Sequence, residues 1–578
     1  MKEQIMNTMT VNGKDIPIET GDTILSALGK AGINIPTLCH IEGLPPTGAC
    51  RICVVEDTKN GALIPSCSFP ASERLSILTH SVKVLKARKT IVELLLANHP
   101  DDCLYCDRNL DCSLQKLAEE LGVRHRRINS NRITQYVDTS SPAIMRDPGK
   151  CILCGKCVRT CEEIQGVSAL DFSGRGSKTK ISTAFDISLN LSTCVGCGQC
   201  VNACPTGALV ERSSIHDVIE AIQDPEKIVV IQHAPAVSVS LAEEFGLEAG
   251  IDIAGTMATA LKQVGFNFVF DTAFSADLTI MEEATELVQR ITQGGVLPMM
   301  TSCCPSWVKF AETFYPELLP NISSCKSPQQ MLGSMIKHYW SEKMNIPQEK
   351  IYSVSVMPCT AKKFEIEREE MVSKGTSDID ASLTTRELAK LIRMHSIDMK
   401  KVVPSQSDLP FGERSTAGKL FGASGGVMEA AIRSAYWMIT GTELENLVIT
   451  ELRNKQDYRE IAVDINDLKV KAAVVSGLGN ARKILDKIKT KDCDLHFLEI
   501  MSCPGGCING GGQPKSIDKD AVIKRMKALY AIDKNEEQNV SHKNSAIIEL
   551  YDKFLKKPGS HKAHELLHTT YHKRTDLI

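Results

Sequence analysis

Twenty-two cysteines punctuate this chain of 578 residues, and most of them fall in short runs with repeated spacing. A chain this long buries enough apolar surface to fold without disulfides, and a cytoplasmic compartment would reduce them. Clustered thiols in such a chain point to metals or catalysis. The cytoplasm is the expected location: residues 1–10 carry no apolar core of signal-peptide length, and no apolar run is long enough to span a membrane. A net charge of -3 and an aromatic content of 5% argue against nucleic acid or an anionic membrane as partner.

Two runs share one pattern. Cys151, Cys154, Cys157 and Cys161 are spaced x2, x2, x3, and Cys194, Cys197, Cys200 and Cys204 repeat that spacing before Pro205. Given one cysteine, the other three arise by chance with probability on the order of 10⁻⁴. The pattern is that of a two-cluster bacterial ferredoxin, in which three thiolates of a run hold one [4Fe–4S] cube and the fourth reaches the other. Cys151, Cys154 and Cys157 are therefore paired with Cys204, and Cys194, Cys197 and Cys200 with Cys161. The first run has Glu162 where proline usually follows. Structural zinc, the competing reading, favours two separated CxxC pairs.

His99, Cys103, Cys106 and Cys112 form a further set. Taken alone, three thiolates and an imidazole suit zinc as well as a cluster; the setting among other cluster sites favours a third accessory [4Fe–4S]. Cys39, Cys50, Cys53 and Cys67 resemble a [2Fe–2S] loop with a lengthened first gap. Helices are expected from a cap at Asp22 or Thr23 and over Val82–Ala97.

Beyond Ser214 the texture changes. Apolar runs at 228–231, 268–270, 354–356, 472–475 and 495–498 predict buried strands. Intervening helical stretches include 281–293 and a short one at 486–490. The expected fold is an α/β catalytic domain of two lobes with mainly parallel sheets, preceded by α+β ferredoxin-like iron–sulphur modules. Three cysteine segments follow predicted strands, at Cys303-Cys304-Pro305, Met357-Pro358-Cys359 and Met501-Ser502-Cys503 through Cys507. The carboxyl ends of such strands are where α/β folds bind ligands. The polar stretch 533–547 is expected to be a linker to a helical tail.

These three segments resemble the signature motifs of the [FeFe] (iron-only) hydrogenases, and the likeness extends over the whole chain, as in large monomeric clostridial-type members. It implies one [2Fe–2S] cluster, three accessory [4Fe–4S] clusters and an H-cluster, a [4Fe–4S] cube joined to a diiron unit with CO, cyanide and a dithiolate bridge. By the same resemblance Cys304, Cys359, Cys503 and Cys507 hold the cube, and Cys507 also bridges. Cys303 is the last proton donor. Lys362 and the backbone at Pro235 and Ala236 hold cyanide, while Gln329, Met357, Phe421 and Met501 line the pocket. Protons travel by way of Glu283, Ser323 and Glu286, near Arg290. Without the resemblance, the glutamates at 282, 283 and 286 read as a solvated helix face.

The implied domains are 1–82 (plant-ferredoxin-like), 83–130 (the His/Cys3 module), 131–212 (the two-cluster ferredoxin), 213–530 (catalytic) and 531–578 (helical tail). The implied partners are ferredoxin or flavodoxin, H2 and protons, and maturation proteins for the diiron unit. The proton couple at pH 7, about −410 mV, matches plant-type clusters at about −400 mV. Residues 50–67 also resemble complex I large subunits, so NAD(P)-linked partner subunits stay open, as does an electron-transfer relative without catalysis. Ser306 and Cys325 depart from the family pattern, and Cys325 and Cys493 are expected to be structural thiols. His564-Glu565-Leu566-Leu567-His568 satisfies a zinc-protease pattern, but Tyr571 and Arg574 break its extension. No complete nucleotide-binding motif is present, so electrons are expected from a partner.

Overall fold

Val230, Ile231, Val354 and Val356 are all fully buried, as expected for strands covered on both faces. They belong to a four-stranded parallel sheet ordered Phe268–Asp271, Ile228–His233, Ile351–Met357, Ala381–Thr384. A second sheet runs Met299–Met300, Phe497–Met501, Leu468–Ser476, Tyr458–Ile465. Its first three strands are parallel, and the outer pair is an antiparallel hairpin. The computed structural model describes residues 7–128, 130, 136–454, 456–465, 468–516 and 518–574; residues 1–6, where no leader is expected, lie outside them.

Helix Thr272–Gln293 packs between these sheets. Asp271 caps it, accepting from the Ala273 N–H at 2.9 Å. It starts nine residues before the predicted helix because its first thirteen residues are buried all round. A helix wrapped on every side loses the amphipathic period that marks one in sequence. The expected helix at 486–490 is the end of Leu478–Lys489. Glu282 and Glu283 are each 1% exposed, which overturns their reading as a solvated face.

The expected linker at 533–547 is also corrected. Asp533, Ser541, His542 and Asn544 are buried. Ser541 Oγ and Asn544 Nδ2 donate to the buried Asp277 at 2.7 and 2.9 Å. Polar composition there marks a docking network and not a solvated tether. The following segment carries Tyr551, whose hydroxyl donates to Glu282 at 2.6 Å. Arg525, on helix Ala521–Asn535, donates from Nε and Nη2 to the two carboxylate oxygens of Glu243, at 2.6 and 2.8 Å.

In the N-terminal part a five-stranded sheet holds helix Ile24–Lys30, capped by Thr23. Helix Val82–Ala97 follows, capped by Ser81. The duplicated module shows its repeat in three dimensions. Short helices Lys156–Arg159 and Gln199–Ala203 each begin after a left-handed glycine, Gly155 or Gly198, at φ 73° and 72°. Strands Ile144–Arg146 and Leu209–Glu211 pair antiparallel beside them.

Candidate active site and accessory cluster sites

Four strand ends open on one cavity of about 80 Å³. Ile228–His233 leads to Pro235 and Ala236, Met299–Met300 to Cys303 and Cys304, Ile351–Met357 to Cys359, and Phe497–Met501 to Cys503 and Cys507. Every one of these residues lines it, together with Gln329, Met357, Lys362, Phe421 and Met501. Four cysteines distant in sequence therefore meet in space.

Burial raises the Cys359, Cys503 and Cys507 thiols, Cys359 to about 12, with the neighbouring cysteines adding to the effect. Thiolates so placed are not stable without a compensating cation. An iron cluster supplies that charge, so the donor set fits one. Space fits as well: Gly506 (φ 100°) lies against the Ser424 N–H and Gly510 against the Pro358 carbonyl, where any Cβ would collide. Ser502 Oγ lies 3.2 Å from Cys304 Sγ.

Lys362 is the cavity's cation. Burial opposes its charge, but Glu365 outweighs that and holds the pKa above the ordinary lysine value. Its Nζ donates to Glu365 Oε2 at 2.8 Å and to the Cys303 carbonyl at 3.2 Å. Gln329 Nε2 donates to the same Glu365 oxygen at 2.9 Å, and Ser355 Oγ donates to Gln329 Oε1 at 2.7 Å. Sequence reasoning missed Glu365, which fixes two cavity side chains at once. Its one signal was the i, i+3 spacing from Lys362.

Outward from Cys303 lie acids and hydroxyls. Burial, with Glu286 and Glu499 nearby, raises the Glu283 carboxyl to about 8. Neither of its oxygens closes a well-formed hydrogen bond. Cys303 counts Glu283 among the charges that push its thiol up, after burial itself. Ser323 Oγ donates to Glu286 Oε2 at 2.8 Å, and Arg290 Nη2 meets Glu286 Oε1 at 2.5 Å. The Ser323–Glu286–Arg290 stretch is thus connected, and Glu283 stands inside it near Cys303.

The accessory cysteines also converge. One small cavity is lined by Cys151, Cys154, Cys157 and Cys204, another by Cys161, Cys194, Cys197 and Cys200. Burial raises Cys154 to about 12 and Cys151 and Cys161 to about 11. The Cys50 N–H approaches Cys39 Sγ at 3.5 Å, and Cys53 and Cys39 both act on Cys67. Cys106 acts on both Cys103 and Cys112. His99 Nδ1 sits 3.0 Å from the Pro100 carbonyl, which requires the proton on Nδ1.

The second ferredoxin cavity abuts the catalytic one. Thr360 Oγ1 donates to the Gly196 carbonyl at 2.7 Å, and Gln199 and Asn202 donate to the Asn509 and Gly510 carbonyls. Gly198 and Gly511 meet backbone to backbone, leaving no room for a Cβ. Cys197 raises the Cys503 thiol across this seam.

A family model described as the iron only hydrogenase large subunit, C-terminal domain, matches residues 227–511, and one for the iron hydrogenase small subunit matches 519–574. N-terminal matches are a 2Fe-2S iron-sulfur cluster binding domain at 6–82, an NADH-ubiquinone oxidoreductase-G iron-sulfur binding region at 88–127 and a 4Fe-4S dicluster domain at 150–208. The chain is 43% identical to the NADP-reducing hydrogenase subunit HndD of Solidesulfovibrio fructosivorans, over 99% of this chain and 100% of that one. It is 40% identical to iron hydrogenase 1 of Clostridium pasteurianum, over 98% and 100%. The structure resembles an apo [FeFe]-hydrogenase variant from Chlamydomonas reinhardtii with TM-score 0.58 and 39% identity, covering 63% of this chain and 99% of that one. Four converging thiols, a buried lysine and full-length likeness to two hydrogenases agree: the chain belongs to the [FeFe] hydrogenase family.

Proposed function

We propose that this protein interconverts H2 with protons and electrons at a six-iron cofactor in the strand-end cavity, and relays the electrons through four accessory clusters. The observation that carries this reading is the single cavity lined by Cys303, Cys304, Cys359, Cys503, Cys507 and Lys362. The cofactor, when bound, supplies the metal chemistry that makes and breaks the H–H bond. Cys304, Cys359, Cys503 and Cys507 would hold its cube, with Cys507 bridging to the diiron unit. Lys362 and the Pro235–Ala236 backbone would hold the cyanide ligands, and Gln329, Met357, Phe421 and Met501 would exclude water.

Cys303 would hold a proton at Sγ facing the cavity. Glu283 would take it next, its raised pKa suiting exchange near neutral pH. Ser323 and Glu286 would pass it outward, and Arg290 would keep Glu286 in place. The cysteine sets would hold one [2Fe–2S] and three [4Fe–4S] clusters, within domains at 1–82, 83–130, 131–212, 213–530 and 531–578. The Gly198–Gly511 seam supports electron transfer directly between the ferredoxin module and the catalytic cavity.

Ferredoxin or flavodoxin in the cytoplasm would exchange the electrons, and maturation proteins would install the diiron unit. A second reading, membership of an NAD(P)-linked complex, is favoured by the 43% identity to an NADP-reducing hydrogenase subunit across the full chain. Anaerobic, matured protein should contain about 20 iron atoms per chain, show infrared bands from CO and cyanide, and evolve H2 from reduced ferredoxin. Fully loaded protein without hydrogenase turnover would reject the proposal. Activity only with added NAD(P)-binding subunits would select the second reading.

A further inference from the structure

We propose that Glu286, Cys325 and His568 form a separate metal site for a soft divalent cation of the zinc class. A carboxylate oxygen, a thiol sulphur and a ring nitrogen from these residues lie within 4.8 Å of one another. Cys325 Sγ is 3.9 Å from Glu286 Oε2. Ser324 Oγ lies 3.2 Å from that same oxygen and 2.8 Å from His568 Nδ1. Zinc bonds of about 2.0–2.3 Å set tetrahedral ligand atoms roughly 3.3–3.7 Å apart. Closure therefore needs a contraction of about 1 Å and rotation of the Ser324 hydroxyl. Water completes the coordination.

The histidine is already oriented as a ligand. Its Nε2 lies 3.0 Å from Glu282 Oε2. Glu282 is held in turn by the Tyr551 hydroxyl and, at 2.8 Å, the Gly559 N–H. A carboxylate anchored in this way keeps the proton on Nε2 and leaves the Nδ1 lone pair, now met by Ser324 Oγ, available to a metal, the second-layer arrangement of metal-binding histidines. Glu286 is divided similarly: Oε1 serves Arg290, and Oε2 faces the site. A thiolate and an imidazole select zinc or cadmium over magnesium or calcium. The side chain of Glu286 is 15% exposed, which gives solvent a way in. The H-E-x-x-H pattern is not the ligand set, because Glu565 turns outward to Lys374 at 3.5 Å.

Binding exchanges the Cys325 thiol proton, released to water, for a bond to the metal. It also occupies the Glu286 oxygen that accepts from Ser323. A bound cation therefore interrupts proton movement between Ser323 and Glu286. That inhibitory effect rests on the proton route proposed above; the site itself does not.

The test uses the matured holoenzyme as wild type, Cys325→Ala and His568→Gln. Crystals soaked in zinc and measured on both sides of the zinc absorption edge should show an anomalous peak among the three side chains, lost in each variant. Zinc should lower H2 evolution at least about tenfold in wild type and under twofold in the variants. Absence of the peak at saturating zinc, or a peak that persists in both variants, overturns the site. A wild-type peak with undiminished turnover upholds the site and removes Glu286 from the proton route.

Discussion

Replacing Glu283 with Gln separates the proton chemistry from the architecture around it. The wild-type carboxyl has a pKa of about 8, so at pH 7 it is roughly nine-tenths protonated. An amide matches that neutral form in shape, so the folded architecture should be preserved. Proton exchange at this position ends, however, and general acid–base steps of this kind contribute about 10²–10⁴ in rate. H2 evolution and uptake should both fall by that factor while iron content and infrared bands stay at wild-type levels. Stability provides an independent sign. The folded pKa lies above the ordinary 4.5, so between these values the folded state binds more protons than the unfolded chain. Wild type therefore loses stability as pH rises from about 4.5 to 8, by up to about 1.4 kcal/mol per pH unit. Glu283→Gln lacks that slope. Its apparent Tm under anaerobic conditions should climb relative to wild type between pH 6 and pH 8. Wild-type turnover in the variant, or a Tm difference that does not move with pH, would refute the reasoning.

Cys303→Ser should retain the full iron content and cofactor bands yet nearly abolish turnover; wild-type rates would remove Cys303 from the proton route. Glu365→Gln leaves Lys362 buried without its counter-charge, at a cost of about 3–5 kcal/mol. Infrared spectra should then show weakened CO and cyanide bands at unchanged accessory-cluster signals. Gly511→Ala forces apart the seam with Gly198, and should slow electron delivery from reduced ferredoxin, measured as H2 evolution, and lower Tm. Asp277→Ala strands donors from Ser415, Ser541 and Asn544. Such losses cost about 1–3 kcal/mol each, and limited proteolysis should cut faster within 533–547.

The accessory sites were legible because their ligands are local: three thiols per tight loop need only the spacing that Gly155 and Gly198 permit. The catalytic cysteines are spread from residue 304 to residue 507; from the residues alone their place after strands hinted at convergence, and the family resemblance supplied the ligand set. Parallel strands such as Ile228–His233 announced themselves through an unbroken apolar run, here 228–231. The outer strand Tyr458–Ile465 did not, since Arg459, Glu460 and Asp464 interrupt its apolar pattern. Glu282 resembled solvated charge because the groups that bury it, Tyr551 and His568, come from the far end of the chain. The polar stretch 533–547 misled for the same reason: its partner, Asp277, lies more than 250 residues upstream. Composition reports solvation preference, whereas a satisfied buried network depends on partners that no local window contains.

The C-terminal segment is held to the rest of the chain through side-chain grips: Arg525 on Glu243, and Asn544 and Tyr551 on Asp277 and Glu282 of the helix that carries Glu283 and Glu286. None of these grips needs an unbroken backbone between residues 511 and 519. Severed there, the two pieces would still recognise one another by charge and shape. A cell could thus encode this architecture as one gene or two, trading covalent linkage for subunit affinity while the inner chamber keeps its form.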